Sequence, residues 1–86
     1  MQGNLSDLAK WIIYKLVRKG RWGHFVIRES NIPMKNMPKT AIKNALRELQ
    51  LADFINRKHG LGEDTYSLNS HKKKEVMEIY ESFSRL

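Results

Sequence analysis

Leu5, Leu8, Ala9, Ile12 and Leu16 recur at the three- and four-residue steps that align one face of a helix, with Ile13 at its edge. The polar start Asn4-Leu5-Ser6-Asp7 predicts Asn4 as the helix cap, with Asp7 reaching back from the third helical position. Arg18-Lys19-Gly20 predicts its end: cations where helix carbonyls accumulate, then a glycine that can turn left-handed. After a turn over Gly20-Arg21-Trp22-Gly23, the β-rich run His24-Phe25-Val26-Ile27-Arg28 predicts a first strand. Pro33 and Pro38 exclude one continuous helix through this region. A short helix from Ile32 or Pro33, capped by Ser30 or Asn31, is expected instead, with Pro38 at the first position of the next helix.

That next helix, residues 38 to 50, carries a narrow apolar stripe of Ile42, Ala45, Leu46 and Leu49. At 100° per residue its other side holds Thr40, Asn44 and Arg47, flanked by Lys43 and, nearer the core edge, Lys39, while Glu48 falls away from that basic face. The runs "DFINRK" and "GEDTYSLN" predict two strands joined at His59-Gly60-Leu61-Gly62. The tail predicts a last helix over about 70–85, with Val76, Ile79, Tyr80 and Phe83 on one stripe. Lys72, Lys73 and Lys74 would occupy its first turn, the unfavourable end for cations.

Eighty-six residues, 41% hydrophobic and 29% charged, fit one small globular domain over 1–86, with a core of about 4–68. No apolar run is long enough to span a bilayer, and no membrane role is expected. Cysteine is absent, which excludes disulfides and thiolate metal sites, and Met1-Gln2-Gly3-Asn4 lacks the regions of a signal peptide. A cytoplasmic protein is therefore expected. Charge changes the picture most. Residues 10 to 47 contain ten Lys/Arg against the single acid Glu29, whereas residues 48 to 86 contain six against seven acids. The total is +7. An even lysine excess mainly aids solubility, but a charge this uneven creates a field that attracts a polyanion.

The order helix, strand, short helix, helix, strand, glycine tip, strand, helix resembles a winged helix–turn–helix domain. The local match is "PKTAIKNALRELQLADFINRK", which is similar to the recognition helix and first wing strand of small archaeal and bacterial winged-helix proteins. Ile42, Leu46 and Leu49 fill the helix positions of that pattern, and Phe54, Ile55 and Arg57 the strand positions. The usual glycine between helix and strand is replaced by Ala52-Asp53, with Asp53 the better suited to a left-handed conformation. The resemblance implies an α+β, mostly helical fold: a three-helix core, a small β-sheet wing and an extra C-terminal helix. It implies a DNA-binding regulator of transcription, with Lys39, Thr40, Lys43, Asn44 and Arg47 on the face entering the major groove. Arg57, Lys58 and His59 would meet the adjacent backbone or minor groove.

The residue chemistry suits that expectation. Arginine pairs with guanine O6 and N7, asparagine with adenine N6 and N7, and lysines hold phosphates. Other readings stand beside it. The polar face of residues 38 to 50 could simply be solvated, Thr40 could satisfy backbone donors at the helix start, and the charges at 57 to 59 could protect an edge strand. Glu63 and Asp64 lower the charge of the hairpin. RNA or a ribosomal surface is an alternative partner. The stripe Val76, Ile79, Tyr80, Phe83 serves either a protein-interaction module, whose terminal helices pack against a partner protein or in a homodimer, or this chain's own core. Trp11 and Trp22 fit packing better than base stacking. His24, His59 and His71 are scattered without metal-ligand spacing, and Gly60-Leu61-Gly62 lacks the following Lys-Ser/Thr of a phosphate loop. Neither an enzyme nor a cofactor is expected.

Overall fold

The computed structural model describes residues 5–32 and 36–85. Among them are three α-helices, α1 (Asp7–Arg18), α2 (Lys39–Leu51) and α3 (Lys73–Ser84), and three strands, β1 (Ile27–Arg28), β2 (Ile55–His59) and β3 (Asp64–Leu68). The strands form one antiparallel sheet in the order β1-β3-β2. This is a small α+β fold.

Helix α1 is capped by Ser6 rather than Asn4, which lies outside the described residues. The Ser6 backbone is extended, and its hydroxyl accepts the Ala9 N–H at 3.2 Å. Asp7 is the first helical residue, too early to reach back. Glu48 of α2 fills that role from a distance in sequence, its carboxylate accepting the Ser6 N–H at 2.6 Å and hydroxyl at 3.0 Å. Both α1 and α2 then end in the same way. Gly20 has a φ of 66°, and the N–H groups of Gly20 and Arg21 return to the carbonyls of Val17 and Leu16. Asp53 has a φ of 62°, and the N–H groups of Asp53 and Phe54 return to Gln50 and Leu49. Each is a Schellman motif. In the second, aspartate stands where glycine is usual, its carbonyl accepting the Asn69 side-chain amide at 2.8 Å.

The expected strand over residues 24 to 28 is shorter. Trp22 forms an isolated bridge with Leu68, and the chain turns at Gly23 (φ 57°). Phe25 N–H bonds to the Trp22 carbonyl, so residues 23 to 26 loop out before β1 begins at Ile27. Phe25 is left 66% exposed. The short helix expected near Ile32 or Pro33 falls partly on residues 33–35, outside the described residues. Before them the chain makes one 3₁₀ turn over Glu29–Asn31, which includes Ser30 and Asn31. Pro38 precedes α2 instead of opening it: its backbone is extended, and its carbonyl accepts the N–H groups of Ala41 and Ile42.

The core joins one face of each helix to one face of the sheet. Ala9, Ile12, Ile13 and Leu16 from α1 meet Ala45, Leu46 and Leu49 from α2, with Phe54, Ile55, Tyr66 and Leu68 from the sheet side. Ile13 is as fully buried as Ile12, so it belongs at the centre of the α1 face and not at its edge. Helix α3 closes the core with Val76, and Ile79 packs beside it. Outward from these, Tyr80 stacks on Tyr14 with ring centroids 5.2 Å apart, and Phe83 lies 5.5 Å from Trp11 and 5.6 Å from Tyr14. The whole stripe thus packs against this chain's own first helix. A second 3₁₀ turn, Ser70–Lys72, leads into α3, leaving only Lys73 and Lys74 of the lysine run in its first turn. Lys72 pairs with Glu75 at 3.6 Å, and Lys73 lies 6.0 Å over the Trp22 ring.

Candidate nucleic-acid interface

Burial of Ala45, Leu46 and Leu49 fixes the rotation of α2, and the opposite side then faces out. Thr40, Asn44 and Arg47 are exposed on it, with Lys43 exposed at its flank and Lys39 exposed nearer the core edge. Among the described residues, no side-chain hydrogen bond or ion pair engages Lys39, Thr40, Asn44 or Arg47. Lys43 differs. Its ammonium lies 3.3 Å from the Glu29 carboxylate, which also accepts the Tyr66 hydroxyl at 3.2 Å. The single acid of the basic half of the chain is therefore tied into the edge of the α2 face. Burial, and then the neighbouring Glu29 charge, push the Tyr66 phenol up to about 12.

The hairpin is four residues wide at its tip, because His59 pairs with Asp64 across Gly60-Leu61-Gly62-Glu63. Two glycines are needed there for different reasons. A side chain at Gly60 would put its Cβ 2.8 Å from the Glu63 carbonyl oxygen, and Gly62 has a φ of 92°. Alternation along β2 separates the three residues expected to act together. Arg57 and His59 share a face with Tyr66 and Asp64, whereas Lys58 pairs with Thr65 on the other. Arg57 and His59 are also not free of partners. His59 Nδ1 lies 3.0 Å from Asp64, Arg57 lies 3.8 Å from the same carboxylate, and the two side chains meet at 3.3 Å.

Glu63, at the tip, reaches the turn before α2. Its carboxylate accepts the Ser30 N–H at 3.0 Å and the Ser30 hydroxyl at 3.1 Å, and these two bonds hold its pKa below the ordinary value. Glu29, Glu63 and Asp64, with Lys39 and Lys43, line a cleft of about 640 Å³ between α2 and the hairpin. Sequence reading missed these ties. Glu63 and Ser30 are 33 residues apart, and no local periodicity links them. It also missed that Lys19, Arg21 and Arg28, part of the same basic half, gather away from α2 beside β1.

No family model, curated protein or solved structure matches this chain. No group of three histidine, aspartate or glutamate side chains among the described residues could hold a metal ion. No helix among them is long and apolar enough to cross a membrane. What the α2 face can do is donate hydrogen bonds and positive charge to an extended anionic partner.

Proposed function

We propose that this chain is a winged helix–turn–helix module that binds duplex DNA and serves transcriptional regulation. Helix α2 lies in the major groove and the β2–β3 hairpin acts as the wing. The observation that carries this reading is the outward face of α2, where Lys39, Thr40, Asn44 and Arg47 stand exposed and without partners among the described residues. The sheet order β1-β3-β2, which sets a hairpin next to that helix, supports it. Arg47 and Asn44 have the donor geometry to read guanine and adenine edges, and Lys39 and Lys43 suit phosphates. With Asp64 engaging Arg57 and His59, the wing contributes grip and little sequence reading.

Fluorescence anisotropy with duplex DNA over a salt series tests this. Affinity should fall steeply as salt rises, because bound phosphates release counterions. Arg47→Ala should relax sequence preference by about 1–3 kcal/mol, whereas Lys39→Ala should weaken all duplexes alike. Absence of binding at low salt removes the proposal. Displacement of bound duplex by structured RNA, but not by unrelated DNA, replaces DNA with RNA as the partner.

A further inference from the structure

We propose that the cleft beside β1, at the end of α1, is a second phosphate-binding site that holds a nucleic-acid backbone phosphate separately from α2. The choice of a nucleic acid as the polyanion rests on the reading of α2 above; the phosphate chemistry rests on the cleft itself. It is an open cleft of about 500 Å³, and Lys19, Arg21, Arg28, Asn31 and Thr65 line it. Three cations converge there, and no carboxylate is among the lining residues. The cleft between α2 and the hairpin, by contrast, sets three carboxylates against two lysines. Like charges gathered without a counter-charge repel one another, and a bound anion removes that repulsion.

Two of the cations are held in place by the fold. Arg21 follows the left-handed Gly20; its N–H bonds to Leu16, and its carbonyl accepts the Leu68 N–H at 2.6 Å. Its guanidinium donates through Nη1 to the Val26 carbonyl at 3.3 Å, and its Nε is buried with no acceptor among the described residues. The guanidinium therefore has donors to spare. Arg28 pairs with Thr65 across the sheet, on the face that alternation also gives to Lys58. Glu63 is near enough to feel the Arg28 charge, but its carboxylate is engaged by Ser30. Asn31 offers an exposed amide at the same rim. Val26 and Ile27 complete the wall.

Two experiments decide it. In an amide NMR titration with inorganic phosphate, against chloride at matched ionic strength, resonances near Lys19, Arg21, Arg28 and Thr65 should shift and saturate. The Arg21→Gln/Arg28→Gln protein, checked for an intact fold by its spectrum, should lose the response; Lys19→Gln, a change at an exposed position, should weaken it. No saturable shift, or the same shift in the double variant, overturns the site. In the duplex salt series, the double variant should bind roughly 10-fold more weakly near 0.1 M salt, with a log–log slope smaller by about 2. Duplex binding whose affinity and sequence preference are both unchanged by Arg47→Ala, yet which falls in the double variant, upholds the cleft while removing the α2 reading. A duplex slope unchanged in the double variant overturns the nucleic-acid assignment, as does cleft-dependent binding only to vesicles containing phosphatidylglycerol.

Discussion

The two clefts of this molecule use positive charge in opposite ways. Between α2 and the hairpin, Lys43 is shared with Glu29, Asp64 is engaged from β2 by Arg57 and His59, and Glu63 holds the turn at Ser30. Beside β1, Lys19, Arg21 and Arg28 converge without a carboxylate among the lining residues. Counting lysines and arginines along the chain cannot separate these cases, because both clefts draw on the same basic half of the sequence. What separates them is where the few acids are carried by the fold. In the first cleft, carboxylates tie hairpin, turn and helix together, and the outward field comes mainly from Lys39, Arg47 and the uncommitted side of Lys43. In the second, no lining carboxylate offsets the cations, and Glu63, held by Ser30, acts on Arg28 only from outside the cleft.

If the core, and not the ion pairs of the first cleft, holds α2, then Leu46→Ala should destabilise the protein by about 2–5 kcal/mol in urea unfolding. Lys43→Gln should cost less than about 1 kcal/mol, because its ion pair is on the surface. Equal losses would mean that the cleft's charges hold the helix. Next comes Tyr66, whose hydroxyl meets Glu29 at the back of this cleft. Its folded pKa of about 12 lies above the ordinary 10.0, so the stability linked to the neutral phenol is complete below pH 10. That stability is lost as pH rises through about 12. Unfolding measured at pH 9.5 and 12 should show wild type losing about 2 kcal/mol more than Tyr66→Phe. A parallel decline in both proteins would remove Tyr66 as the cause. The smallest effect concerns binding. Glu29→Gln releases Lys43 and should raise duplex affinity a few-fold at low salt, about 0.5–1 kcal/mol. An unchanged affinity would show that Glu29 does not limit the field of α2.

What the sequence made legible, and what it did not, divides along the same physical line. The three α-helices, the hairpin and the left-handed turns at Gly20 and Asp53 follow from local signals: apolar spacing, β-branched runs and residues that tolerate positive φ. The outward position of Lys39, Thr40, Asn44 and Arg47 is equally local, since it follows once the buried stripe of α2 is known. The polar ties are not local. Glu48 caps α1 from 42 residues away, and Glu29 meets both Tyr66 and Lys43 only after strand register is set. The length of β1 was hidden for a related reason: His24, Phe25 and Val26 are good strand residues, but the turn at Gly23 carries them off the sheet before β3 can pair with them. Lys58 was grouped with Arg57 and His59 by adjacency, and the period of two in a strand sends it to the other face.

The central claim, that the outward face of α2 meets duplex DNA, is tested most directly by amide NMR of the intact chain titrated with a short duplex. Shifts should be largest from Lys39 to Arg47, extend to Arg57–Gly62, and leave the aromatic seam of Trp11, Tyr14, Tyr80 and Phe83 unmoved. Shifts concentrated along α3, with α2 silent, would contradict it.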